Sequence, residues 1–325
     1  MREANFIRKN RQRWQNTEER LKKANTVPSD ELATMFTEIT ADLSYANTYY
    51  PESNTRQYLN QLAAGLHQTI YKSKKEKKRR YITFWTTELP LTFASAHRQM
   101  LYSLLFFLGA VLTGVVSAAF DETFPRLVLG DGYVNMTINN IRNNDPMAVY
   151  KQMGQTDMFF YISFNNIWVA FRTFITGLLA SLGTVFILVS NGIMLGVFQY
   201  FFFEYNLLLE SFLVIWIHGT LEISAIVIAG GAGLVLGNSL LFPGTYPRLT
   251  SLKAGARRGL KIFVGLVPVF LLAAVLESFV TRLTEMPDWL KLGIILLSFA
   301  SILFYFVILP LKLKRQGLSS GDAFL

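Results

Sequence analysis

Two hydrophobic patterns divide the chain. Up to about residue 97, apolar positions recur at intervals of three and four within polar sequence, the spacing of a helix with one buried stripe. One helix is predicted over roughly Arg2 to Lys23. A second follows Pro28, with Ser29 as N-cap and Asp30 and Glu31 against the positive end of its dipole. Its stripe is Leu32, Met35, Phe36, Ile39, Leu43 and Ala46. Pro51 ends it, and a third helix begins near Ser53 with Tyr58, Leu59, Leu62, Leu66 and Ile70 facing inward. Three such stripes predict a helical bundle, and the cytosolic helical domain over 1–97 ends in an interfacial segment in which Tyr81, Phe84, Trp85 and Phe93 are interrupted by Pro90.

Beyond this point the apolar runs reach the length of about 20 residues that a helix needs to cross the hydrocarbon layer. The pattern predicts an all-α, polytopic membrane domain over 98–315 with about six spans, at 100–120, 167–190, 192–206, 212–241, 262–280 and 290–311, and a tail over 316–325. The run from Ile167 to Phe203 is too long for one span, and Asn191-Gly192 supplies a candidate hairpin turn within it. Five spans plus a re-entrant pair are the alternative, because Ile193 to Phe203 is short and Glu204 follows.

Composition supports the membrane assignment: 51% of the 325 residues are hydrophobic and only 16% charged, with a mean hydropathy of +0.31. Met1 to Asn25 contain no apolar run, so no cleavable signal is expected and the first domain is expected to stay on the side of synthesis. The net charge of +9 is concentrated early, with 16 basic against 10 acidic residues before position 98. Within that surplus, Lys72, Lys74, Lys75, Lys77, Lys78, Arg79 and Arg80 directly precede interfacial aromatics, the usual cytoplasmic flank of a membrane domain. This placement argues for a lipid surface and against nucleic acid. Arg248, Lys253, Arg257, Arg258 and Lys261 form an acid-free segment after Pro243-Gly244, and Lys312, Lys314 and Arg315 follow the last span. By the positive-inside rule these segments and both termini are expected in the cytoplasm, in a multi-pass protein of the cytoplasmic (inner) membrane. The 121–166 stretch is expected outside.

The chain has no Cys, which removes disulfides, thiolate nucleophiles and Cys-ligated metals. Only His67, His97 and His218 remain, no HExxH or Gly-x-Ser-x-Gly motif occurs, and Gly230-Gly231-Ala232-Gly233 lacks the Lys-Ser/Thr ending of a phosphate loop. No enzyme activity, cofactor or metal is expected. The polar residues within apolar runs are few, and an unpaired charge there costs at least about 2.5–3.5 kcal/mol. His218 and Glu222 lie four apart, on one helix face. Arg172 and, at the edge, Glu277 are predicted to join them in one intramembrane polar cluster. Along the same face come Ala225, Ala229, Gly233 and Gly237, a ridge suited to close helix packing, with Val235 on another face. The cluster is either structural glue or the lining of a cavity.

These residues also carry a resemblance. His218-Gly219-Thr220-Leu221-Glu222, Ser224-Ala225-Ile226 and the block from Ile228 to Leu234 ending at Gly237 resemble the signature of the stage II sporulation protein M family. Asn165-Asn166, the Gly177 to Gly183-Thr184 stretch, Asn191-Gly192, Leu195-Gly196, Pro243-Gly244, Arg248 and Glu277 agree with it. Trp14, Ala41-Asp42-Leu43, Tyr50-Pro51, Leu59-Asn60, His67 and Ile70-Tyr71 resemble the longer form with an N-terminal cytosolic domain. The resemblance implies a membrane scaffold of the bacterial cell envelope that recruits partners, in the namesake a peptidoglycan-remodelling pair. Membrane lipids and other envelope proteins are the expected partners, with a homo-oligomer also open. The competing expectation is a transporter or lipid-handling protein in which Arg172, His218, Glu222 and Glu277 surround a polar cavity; the broken hairpin at Asn191-Gly192 supports it.

Overall fold

A computed structural model describes residues 2–22, 29–71, 80–151, 153–283 and 285–318, which form two compact units divided after Arg80. The run from Lys72 to Arg79 and the Pro28 breaker lie outside the described residues, as does the end of the tail. Of Arg80 and Ser29 only the backbone is described. All regular elements among the described residues are helical.

The first unit consists of α1 (Glu3–Lys22), α2 (Ser29–Tyr49) and α3 (Asn54–Tyr71). Its core is Phe6, Trp14, Leu32, Ile39, Ala46, Leu59, Leu62, Ala63 and Leu66, with Met35, Phe36, Leu43 and Tyr58 packed around it. The predicted stripes therefore face inward, except that Ile70, in the last turn of α3, is exposed. Polar ties cross the bundle: Trp14 Nε1 donates to Asp42 Oδ2 at 2.7 Å, and Arg13 pairs with the same carboxylate. Thr55 donates to Glu3 at 2.7 Å and Tyr58 to Glu18 at 3.0 Å.

The second unit begins at Tyr81, within α4 (Arg80–Thr83), and continues through a π-helical turn over Phe84–Glu88 and α5 (Leu89–Ser95). Pro90 lacks the N–H that would continue the helical ladder, and the widened turn before it absorbs the mismatch. This segment is an integral part of the membrane unit. Leu89, Leu91, Phe93 and Ala94 are buried, Glu88 pairs with Lys261, and Tyr305 donates to the Trp85 carbonyl at 2.6 Å.

There follow α6 (His97–Phe120), the short α7 (Phe124–Leu129) and α8 (Asp131–Arg142), and then α9 (Gln155–Ile175). The remaining helices are α10 (Leu182–Glu204), α11 (Leu208–Leu241), α12 (Arg248–Val275), α13 (Asp288–Leu303) and α14 (Leu309–Arg315). Helix α12 continues through a π turn to Val280, and α13 joins α14 through another that precedes Pro310. Five helices are long and apolar enough to cross a membrane: His97–Phe120, Leu182–Glu204, Leu208–Leu241, Arg248–Val280 and Asp288–Arg315. Helix α9, carrying Asp157, Asn165, Asn166 and Arg172, packs among them without reaching that apolarity.

Helix α11 is the axis. The apolar window of α11 is 72% buried within the protein against 11% for that of the Asp288–Arg315 span, and α6, α9, α10, α12 and α13 all contact it. A helix apolar all round is the expected occupant of such a position.

The break in the long apolar run differs from the sequence expectation. Asn191 and Gly192 lie inside α10, and the chain turns instead at Leu179–Ser181, where Ala180 and Ser181 take φ of 50° and 68°. The helix tolerates both residues for separate reasons. Asn191 Nδ2 donates to the Ile187 carbonyl at 2.8 Å, satisfying its amide within its own helix. Gly192 removes the side chain that would strike Ala110 and the Phe107 carbonyl of α6. The spans expected at 167–190 and 192–206 are therefore replaced by α9 and α10. The basic residues Arg248 to Lys261 likewise sit on the first turns of α12 rather than in a loop, the connection being only 242–247.

Candidate functional site

The predicted ridge on α11 is a packing surface. Ala225 and Ala229 are fully buried. A Cβ on Gly233 would meet Thr184 and the Thr173 carbonyl, and one on Gly237 would meet Ser181 and the Gly177 carbonyl. The ridge thus receives the α9–α10 turn at backbone distance, as small residues in membrane helices allow. Thr184 Oγ1 closes the contact by donating to the Thr173 carbonyl at 2.7 Å. Val235, expected on a different and more permissive face, is itself buried in the core with Ala232 and Leu236.

The polar residues gather one to two turns nearer the start of α11. His218, Glu222 and Glu277 each offer a ligand atom within 4.8 Å of the others. His218 Nε2 faces Glu277 Oε1 at 3.8 Å, beyond hydrogen-bond reach, while Nδ1 stands 3.0 Å from the Thr281 hydroxyl. Asn166 of α9 is the polar neighbour of the Glu222 carboxylate. Tyr150, from the connection between α8 and α9, places its ring edge-to-face on the imidazole at 5.7 Å between centroids. Four separate segments build the site.

The local reason for Glu277 and Thr281 lies in the π turn Leu276–Val280. There the Thr281 N–H bonds to the Leu276 carbonyl at 2.8 Å, five residues back. The other two π turns precede Pro90 and Pro310, whereas this one has no proline to cause it. It inserts an extra residue per turn, and π turns of this kind concentrate at functional sites. Glu277 and Thr281, four apart and so on one face, both turn towards the same histidine.

Arg172 does not join the cluster. It is exposed and lines an open groove with Val169, Phe186, Ile187, Ser190 and Asn191, on the side of α9 that meets α10. Six residues of helix turn it well away from Asn166, the α9 residue that does reach Glu222. Asn166 was visible as part of the Asn165-Asn166 pair but carried no sequence signal for its partner. Thr281 and Tyr150 had none: a Thr just past an apolar run and a Tyr in a polar connection are ordinary. Of the four predicted members, the fold brings together His218, Glu222 and Glu277.

Residues 103–282 match the family described as Stage II sporulation protein M, and residues 4–72 match a Domain of unknown function (DUF8413). Neither a curated protein nor a solved structure matches the chain. The first match spans α6 to the π turn that carries Glu277, including the α11 axis and the whole polar cluster. The second covers the N-terminal bundle. With more than half of its length matched, this helical membrane protein belongs to the stage II sporulation protein M family.

Proposed function

We propose that the protein is a non-enzymatic envelope scaffold that holds partner proteins at the cytoplasmic membrane. The supporting observation is its division into two units: a bundle with its own core of Phe6, Trp14, Ile39, Leu59 and Leu66, and a membrane domain organised around α11. In this reading the first unit is a docking module and the second its anchor. With α9 as a sixth crossing beside the five apolar spans, both termini and the 242–247 connection face the cytoplasm, where Arg248 to Lys261 and Lys312 to Arg315 obey the positive-inside rule. The partners are envelope proteins, with peptidoglycan-remodelling enzymes the class that the resemblance to the family's namesake implies, and a second copy of the chain among the candidates.

The test is isolation of the full chain from its native membrane in a mild detergent, followed by mass spectrometry. A stoichiometric envelope protein that dissociates on substitution of exposed bundle residues supports the scaffold. Purification of the wild-type chain alone, after chemical crosslinking in intact cells, overturns it. Orientation is tested independently by single-Cys labelling, which is clean in a chain without native Cys: a Cys at position 253 is expected to resist impermeant reagents applied from outside.

The polar cluster favours a second reading, a transporter, because ionisable groups at membrane depth commonly mark a substrate or ion path. Accumulation of solute or ion in reconstituted vesicles, lost in Glu222→Gln, would select that reading over the scaffold.

A further inference from the structure

We propose that His218, Glu222 and Glu277 bind a divalent transition-metal ion, zinc or manganese, with water completing the coordination.

The donor set is suitable in number and kind. Imidazole and carboxylate together suit zinc and manganese, and three protein ligands plus water are the usual set of an open zinc site. The geometry is close to what such an ion requires. Zinc–nitrogen and zinc–oxygen bonds of about 2.0–2.2 Å place tetrahedral ligands roughly 3.3–3.6 Å apart. His218 Nε2 and Glu277 Oε1 stand 3.8 Å apart, too far for a hydrogen bond between them and near a tetrahedral edge. The Glu222 donor lies within 4.8 Å of both.

The surroundings hold the ligands as a metal site does. A ligating histidine ordinarily engages a polar group through its second ring nitrogen, which fixes the tautomer and aims the first nitrogen at the ion. Here Thr281 meets Nδ1 and leaves Nε2 towards the carboxylates. Glu222 has Asn166 as its polar neighbour. The imidazole side chain is only 6% exposed and that of Glu277 14%, so the donors are enclosed rather than spread on a surface. Charge points the same way. Two carboxylates this close repel in a poorly polarisable environment, and a dication with one neutral imidazole gives a first shell of zero net charge. Arg172, the expected counter-charge, points elsewhere.

The experiment is titration of the full-length protein, purified in detergent with chelator and then desalted, with zinc and separately with manganese. Binding is followed by calorimetry and by thermal stability. One saturable ion per chain is expected, with a rise in Tm of the wild type. Glu222→Gln and Glu277→Gln are each expected to weaken binding at least 10-fold. Thr281→Val, which keeps all three ligands, is expected to weaken it about 10–100-fold, the usual effect of losing an outer partner. Should the carboxylate variants fail to fold, cobalt absorption of the wild type decides: a visible spectrum of a four- or five-coordinate nitrogen–oxygen site supports the proposal, and an aqueous-ion spectrum overturns it. Absence of saturable binding of either metal by folded wild-type protein, or equal binding by wild type and both folded carboxylate variants, also overturns it. Either negative result leaves the scaffold reading untouched, since that rests on the co-purification of partners.

Discussion

Asn166 of α9 stands beside the Glu222 carboxylate of α11, and so sets a polar residue of α9 against the axis of the domain. The same carboxylate belongs to the group formed with His218 and Glu277. This interhelical contact thus belongs to the site, whereas Arg172, six residues further along α9, lines the groove beside α10.

A double-mutant cycle on Asn166→Leu and Glu222→Gln is expected to show a coupling of about 0.5–3 kcal/mol, the range for residues in one hydrogen-bond network. The parallel cycle on Arg172→Met and Glu222→Gln is expected to be additive within about 0.5 kcal/mol. Denaturation of the detergent-solubilised variants measures both. The reverse ranking would place Arg172 in the cluster.

Thr281→Val removes the hydroxyl opposite His218 Nδ1 and leaves a buried ring nitrogen to find another partner. The expected loss is about 1–3 kcal/mol. Thr113→Val is the comparison, because Thr113 is exposed and donates only to the Gly109 carbonyl of its own helix. Its effect is expected within about 0.5 kcal/mol, typical of surface substitutions. Equal midpoints for the two variants in thermal unfolding would contradict the His218–Thr281 contact.

Gly196 of α10 sits against the Val111 carbonyl of α6, and an added Cβ there would overlap that backbone. Gly109 on α6 faces open space. Gly196→Ala is therefore expected to destabilise by about 1–3 kcal/mol through overpacking. Gly109→Ala should be neutral or stabilise by up to about 1 kcal/mol through helix propensity. Thermal midpoints of the two variants are the readout, and a tolerated Gly196→Ala would mean that α6 and α10 do not cross at these residues.

In the N-terminal bundle, burial and then the hydrogen bond to Glu18 push the Tyr58 phenol up to about 12 from its ordinary 10. The folded state therefore holds this proton more tightly than the unfolded one. Its stabilising contribution is complete below pH 10 and is lost as pH rises towards 12. Ultraviolet titration of tyrosinate in wild type and Tyr58→Phe measures the late-titrating phenol. Bundle unfolding followed by circular dichroism is expected to lose part of its alkaline sensitivity in that variant, and an identical alkaline profile for both proteins would refute the shift.

The sequence by itself determined that the second unit is helical and where most of its helices run. Backbone groups in lipid must be satisfied within the segment, so apolar length leaves little choice of structure. It also determined the buried stripes of α2 and α3 and the small-residue ridge Ala225, Ala229, Gly233 and Gly237, because a helix repeats its faces every 3.6 residues regardless of what covers them. Only the tertiary structure decided what meets those faces. Asn191-Gly192 reads as a turn in isolation, yet α10 continues through it because α6 needs the glycine's missing side chain and Asn191 bonds its own helix. The chain breaks instead at Ala180-Ser181, whose left-handed backbone has no glycine to announce it. Cluster membership was undetermined for a related reason. Charge and depth made Arg172 a suitable partner for Glu222, but the rotation of α9 about its axis presents Asn166, and the packing of the segment after α12 on α11 brings Glu277 and Thr281 to His218. Helix rotation and ladder slippage are settled by the sum of contacts among neighbouring helices, which no single segment of sequence contains.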